Sequence, residues 1–212
     1  MKKIILMLLG LSAATLSPAA EDRVFALATA GEVDPALAER VRVRMEESSG
    51  AVVRMAPPVA MEPGQTLEAI GRAAAKTRAA TDFGIIVLAR SEPSQPQGVC
   101  LPHEHFAILN ISRLEAGADA ARLERRAMQE GLRVMTMLLD MAPCPFPLCV
   151  LVGYEKTGDL DQMSGSYCPP CLERFERVAR DAGLRMVEKP IPEPASEPEA
   201  APAAEPAPAP AE

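Results

Sequence analysis

The chain has 212 residues, enough for one domain with a real core. It contains no Trp and few aromatic residues, so any core must be built from Ala, Val, Leu, Ile and Met. A formal net charge of −7 gives no basic face and argues against nucleic-acid binding.

The first residues, MKK, are followed by the apolar run IILMLLGL and then by SAATLSPAA, which ends in small residues. That pattern predicts a signal peptide over residues 1–20, cleaved after Ala19 or Ala20. The apolar run is short for a membrane anchor, and no Cys follows it to carry a lipid. The expectation is a secreted or periplasmic bacterial protein with no stable membrane span after cleavage. At the other end, residues 190–212 read PIPEPASEPEAAPAAEPAPAPAE. Pro, Ala and Glu cannot bury a core, so this segment is expected to be a disordered acidic tail, a spacer or a partner-binding arm.

The single domain is therefore expected over residues 21–189. Arg23–Ala30 reads as a strand. A helix follows, with Asp34 as N-cap, Pro35 in its first turn and Gly50 as its stop. Ala51–Ala56 is a second strand, and a second helix starts at Thr66. Phe83–Arg90 is a continuous apolar run, the mark of a buried central strand. After a loop rich in Pro, Ser and Gln, His105–Ser112 reads as another strand, placed antiparallel or at an edge. A long helix over Ala118–Met141 carries an apolar stripe of Leu123, Ala127, Leu132, Met135 and Leu139. Its ERR run reads as a solvated face and its Met-rich end as core. Leu172–Gly183 closes the domain as a fourth helix. The order predicts an α/β fold, a mixed sheet with helices packed on it.

Four cysteines carry the clearest chemical signal. Cys144 and Cys149 form C-x4-C, and Cys168 and Cys171 form C-x2-C after an 18-residue gap. Two short turns that each present two thiolates suit one tetrahedral zinc ion. Prolines 143, 145, 147, 169 and 170 stiffen both turns. Two disulfides are the alternative in an oxidising compartment. Cys100 is left over, as a free buried thiol.

A helix, then C-x4-C, then C-x2-C after an exposed segment resembles the archaemetzincin metallopeptidases. The resemblance spans roughly residues 83–175, and Arg126, Gln129 and Glu130 match the charged approach to that family's motif. It implies a single metzincin-like domain with a four-cysteine zinc loop holding one structural ion. It also implies a catalytic HExxHxxGxxHC motif whose last Cys is Cys144. Counting back, the first His falls on Arg133, the Glu on Val134, the second His on Met137, the Gly on Asp140 and the third His on Pro143. The Met that follows the second Cys by two is Leu151. None of the five motif residues is kept. The chain has only two histidines, His103 and His105, and both precede the helix, so no register can supply three imidazoles to it.

His103 and His105 stand two apart and would share a face on a strand, with Glu104 opposite. With Cys100 they form a weak alternative metal site; two surface histidines at a strand start is the simpler reading. The resulting expectation is a pseudo-metallopeptidase with structural zinc that binds a peptide or protein partner. The alternatives are a metal-dependent hydrolase centred on His103 and His105, and a disulfide-stapled interaction protein.

Overall fold

The computed structural model describes residues 22–188; the signal peptide and the acidic tail expected from the sequence lie outside the described residues. The fold is α/β. Strands β1 (Val24–Ala30), β2 (Val53–Met55), β3 (Asp82–Ala89), β4 (Gly98–Leu101) and β5 (Phe106–Asn110) form one sheet in the order β2-β1-β3-β5-β4. β1, β2, β3 and β5 run parallel, and β4 is antiparallel at one edge. The helices are α1 (Pro35–Ser49), α2 (Leu67–Lys76), the short α3 (Ile111–Leu114), α4 (Ala120–Leu138) and α5 (Pro169–Asp181).

The period-2 alternation of strand side chains sorts the core into two layers. Phe25, Leu27, Ile86, Leu88, Ala107 and Leu109 face the layer made by α1, α4 and α5. Ala26, Ala28, Ile85, Val87, Phe106 and Ile108 face α2. A sheet covered on both faces explains why β3 reads as an unbroken apolar run.

The helix starts follow from their caps. The Asp34 carboxylate accepts from the backbone N–H of Ala36 at 2.9 Å, the Thr66 hydroxyl from that of Ala69 at 3.3 Å, and Asp119 from Arg122 at 2.8 Å. Gly50 ends α1 at φ 70, in the left-handed region. α2 lies close to the sheet because Gly71 leaves room for the buried ring of Phe106, which a Cβ there would meet at 2.2 Å. Gly71→Ala is expected to cost about 1–3 kcal/mol through overpacking, read as a lowered denaturation midpoint with an unchanged slope.

Two sequence expectations are corrected. The HFAILN segment is not an edge; β5 lies between β3, with which it pairs in parallel, and β4, with which it pairs antiparallel, and is buried throughout. The antiparallel edge is β4, within the stretch read as a loop, where four residues with no fully buried member give no periodic signal. The ERR run is not wholly a solvated face either. Arg126 is buried, paired with Asp161 at 2.7 Å, and donates to the carbonyls of Leu114 and Ala116.

Candidate metal centre and the adjoining cleft

The four cysteines arrive from two turns. Cys144 and Cys149 lie in the turn that follows α4, and Cys168 and Cys171 at the start of α5, where Pro169 and Pro170 fill the first helical positions. Their four sulfur atoms lie within 4.8 Å of one another, with Cys144 Sγ and Cys168 Sγ 3.9 Å apart. Thiolates at a Zn–S distance of ~2.3 Å in a tetrahedron stand ~3.8 Å apart, so the spacing fits one zinc ion. All five cysteines are free thiols. Among the described residues this is the one group of three or more possible ligands gathered closely enough to hold an ion.

The surroundings suit thiolates. The backbone N–H of Phe146 points at Cys144 Sγ and that of Cys168 at Cys149 Sγ, each at 3.4 Å. The backbone N–H of Cys171 lowers the Cys168 thiol below its ordinary value, while burial pushes Cys149 and Cys171 up. Low-pKa sulfur at a helix N-terminus is expected of a metal ligand. Behind the cluster Tyr167 stacks on Phe175 at 5.3 Å, which fixes α5 against the loop.

Cys100, His103 and His105 are not presented on one strand face. Cys100 is in β4, but Pro102 opens a short 3-10 turn, Pro102–Glu104, that carries His103 into solvent. His105 ends that turn in the left-handed region at φ 58 and packs edge-on against Phe83. Burial, then the charges of Arg78 and Arg23, hold its imidazole below the usual value. Glu104 pairs with Arg72 at 2.9 Å. Burial and the charge of Asp140 push the Cys100 thiol up to about 11, so it stays protonated and unreactive near neutrality.

The positions matched to the catalytic motif sit at the end of α4. Arg133, Met137, Asp140 and Pro143 line one cavity of about 490 Å³ with Pro102 and Leu151. Val134 is buried and lines a second cavity of about 240 Å³, shared with Gly98, Cys100, Glu130, Met137 and Tyr154. No histidine lines either cavity. Asp140, matched to the motif's Gly, has φ 53, a conformation that glycine adopts without strain.

A polar network joins this end of α4 to the loop that follows Cys149, and motif spacing does not reveal it. Arg133 Nη1 donates to the carbonyls of Val150 at 2.7 Å and Val152 at 2.6 Å. Its guanidinium lies 4.8 Å above the Tyr154 ring and pairs with Glu130 at 3.2 Å. Burial raises the Glu130 carboxyl, and Arg133 pulls it back. Gln97 donates to the Tyr154 hydroxyl and accepts from Thr157 at 2.6 Å, tying the start of β4 to the same loop.

No protein-family model matches the chain, and no curated protein matches it. Solved structures do. The chain is similar to an archaemetzincin from Methanopyrus kandleri at a TM-score of 0.63 and 15% identity, over 78% of this chain and 99% of that one. It is similar to a zinc-dependent peptidase from Methanocorpusculum labreanum at 0.60 and 16%, over 71% and 99%. An archaemetzincin from Archaeoglobus fulgidus, complexed with malonate, matches at 0.54 and 16%, also over 71% and 99%. The chain therefore has an archaemetzincin-like fold, with a four-cysteine cluster able to hold a metal ion.

Proposed function

We propose that this is an exported, non-catalytic relative of the archaemetzincin peptidases that holds one structural zinc ion in Cys144, Cys149, Cys168 and Cys171 and binds an extended peptide along β4. The observation that carries the reading is the lining of the cleft at the end of α4. Counting back from Cys144 by the motif's spacing, the three imidazole positions fall on Arg133, Met137 and Pro143, and all three line this cleft. A guanidinium repels a dication, and a thioether and a pyrrolidine ring offer it no imidazole nitrogen. Val134 cannot take a proton from a bound water.

The binding half rests on the sheet edge. The Asn110 N–H donates to the Gln97 carbonyl at 2.8 Å, so Gln97 turns its backbone groups toward β5. In an antiparallel pair that orientation alternates, so Val99 and Leu101 also face β5. Gly98 and Cys100 then face outward, away from the sheet. Free edge groups at alternate residues are what a peptide adding as a strand requires.

Metal analysis and thiol counting on protein purified from its native compartment test the zinc half. One zinc per chain, kept when His103 and His105 are both replaced, supports it; two disulfides in the native protein would sink it. The catalytic half predicts no chelator-sensitive cleavage of a broad peptide library. Chelator-sensitive cleavage lost on replacing His103 and His105 would establish the hydrolase alternative instead.

A further inference from the structure

The trench between β4 and α4 has a direction. β4 turns Gly98 and Cys100 toward the layer that contains α4, and Val99 and Leu101 toward the layer that contains α2. A strand added at the outer edge keeps that sorting, because residues opposite one another across a sheet share a face. Every second side chain of a bound peptide, counted from the one opposite Cys100, therefore points to the α4 side. Two cavities follow on that side, in the same order along both elements. The smaller, about 240 Å³, joins Gly98 and Cys100 to Glu130 and Val134. The larger, about 490 Å³, joins Pro102, which follows β4, to Asp140 and Met141 beyond the end of α4. Met137 is the wall they share, and it is exposed.

The larger cavity has apolar sides and one open charge. Met137, Met141, Ala142, Pro143 and Leu151 supply the sides. Of its polar groups, the Thr136 hydroxyl is taken up by the Leu132 carbonyl at 2.6 Å. Arg133 is turned to the smaller cavity and the loop, where it pairs with Glu130, lies over Tyr154 and donates to Val150 and Val152. Asp140 is different. It is exposed, and no hydrogen bond or ion pair holds its carboxylate among the described residues. It stands near enough to Cys100 for its charge to act on that thiol, which places it beside the edge that the peptide would take. An apolar-walled cavity with a lone carboxylate at its mouth matches one kind of side chain, an apolar stem that ends in a cation. The net charge of −7 also favours a basic partner.

We infer that the peptide added to β4 carries a lysine or arginine whose stem lies along Met137 and Met141 and whose charge meets Asp140. It stands two residues from the one opposite Cys100, on the Pro102 side. This rests on the reading of β4 as a peptide-binding edge. Main-chain hydrogen bonds give such a complex its affinity, and pockets for alternate side chains give its preference. Position 140, which the motif's spacing gives to glycine, then selects the ligand.

Fluorescence anisotropy of a labelled peptide, Thr-Val-Thr-Lys-Thr-Val-Thr-Val, on the zinc-loaded full chain at low ionic strength tests it. Amide exchange at Gly98 and Cys100 reports whether the edge is occupied. Replacing the peptide's lysine by alanine should weaken binding about tenfold, through loss of both stem and charge. Replacing it by norleucine, which keeps the stem, should weaken binding about threefold. Asp140→Gly suits the backbone at φ 53 and should weaken the lysine peptide about threefold while leaving the norleucine peptide unchanged. Asp140→Lys should reverse the preference, so that a glutamate peptide binds more tightly than the lysine one. Equal weakening of the lysine and norleucine peptides by Asp140→Gly would overturn the inference. If all the peptides protect Gly98 and Cys100 alike, with no preference for lysine, the peptide-binding edge stands and this inference falls. If none protects them, both fall.

Discussion

Replacing Cys168 with serine is expected to empty the metal centre and free the final third of the domain. The segment between Cys149 and Cys168 has little core of its own. Val150, Leu151, Leu160 and Tyr167 are buried there, but the other residues of the segment are half-buried or exposed. At the Cys168 end it is held by Tyr167 and Gln129 contacts to α4 and, on the proposed reading, by sulfur ligands to zinc; structural zinc in small domains contributes on the order of 10 kcal/mol to folding. Zinc content should fall from one ion per chain to near zero, and residues 150–167 should become cleavable by a nonspecific protease while the sheet stays resistant. Full zinc retention in the variant would show that Cys168 is not a ligand.

The second large effect is expected at Arg133. Arg133→Met keeps much of the side-chain bulk but removes the ion-pair partner of Glu130, a carboxylate 8% exposed that also hydrogen-bonds Tyr154 and Gln97. Breaking a fully buried pair from one side costs about 3–5 kcal/mol, and the hydrogen bonds of Tyr154 and Gln97 to Glu130 put this loss toward the lower end of that range. The sign with pH follows from Glu130. Burial raises its folded-state pKa above the ordinary value of 4.5. Its contribution is therefore most favourable in acid, where the group is protonated, and is lost as pH rises through the folded pKa. Without Arg133 that loss should grow, so the variant should be less destabilised in mildly acidic buffer than at neutral pH. Adding Glu130→Gln should recover most of the stability. Denaturant titrations of the two variants at both pH values decide the matter, and equal destabilisation across pH would contradict it.

Much of this architecture is legible in the sequence, and the reasons for the rest are physical. α1 carries its own punctuation in Asp34, Pro35 and Gly50, so its limits can be read directly. β3 declares itself by seven residues with no polar interruption after Asp82. The cysteines declare themselves by spacing. The direction of β5 has no such signal, because an apolar run buried on both faces reads the same whether its neighbour is parallel or antiparallel. β4 is too short and too evenly half-buried for alternation to appear. The charged residues of α4 mislead for another reason. Arg126 finds Asp161, and Arg133 finds the carbonyls of Val150 and Val152, through chain separations that no local pattern encodes.

The loop after Cys149 is thus held by anchors of two kinds, the cysteine cluster at its ends and side chains of the fold along it, Arg133, Gln97, Arg126 and Gln129. On the proposed reading, the first kind depends on an ion that must be acquired from the surroundings. The other consists of side chains that belong to the chain itself, Arg133 among them. Starving the protein of metal would then let go of one anchor only. The product would be a chain whose sheet and α4 remain assembled and keep hold of the stretch before α5 through Arg133, Arg126, Gln129 and Gln97 while the Cys-bearing turns loosen, a half-released form distinct from the unfolded one. Scarcity of metal would be written into the molecule as a local opening, reversible when the ion returns.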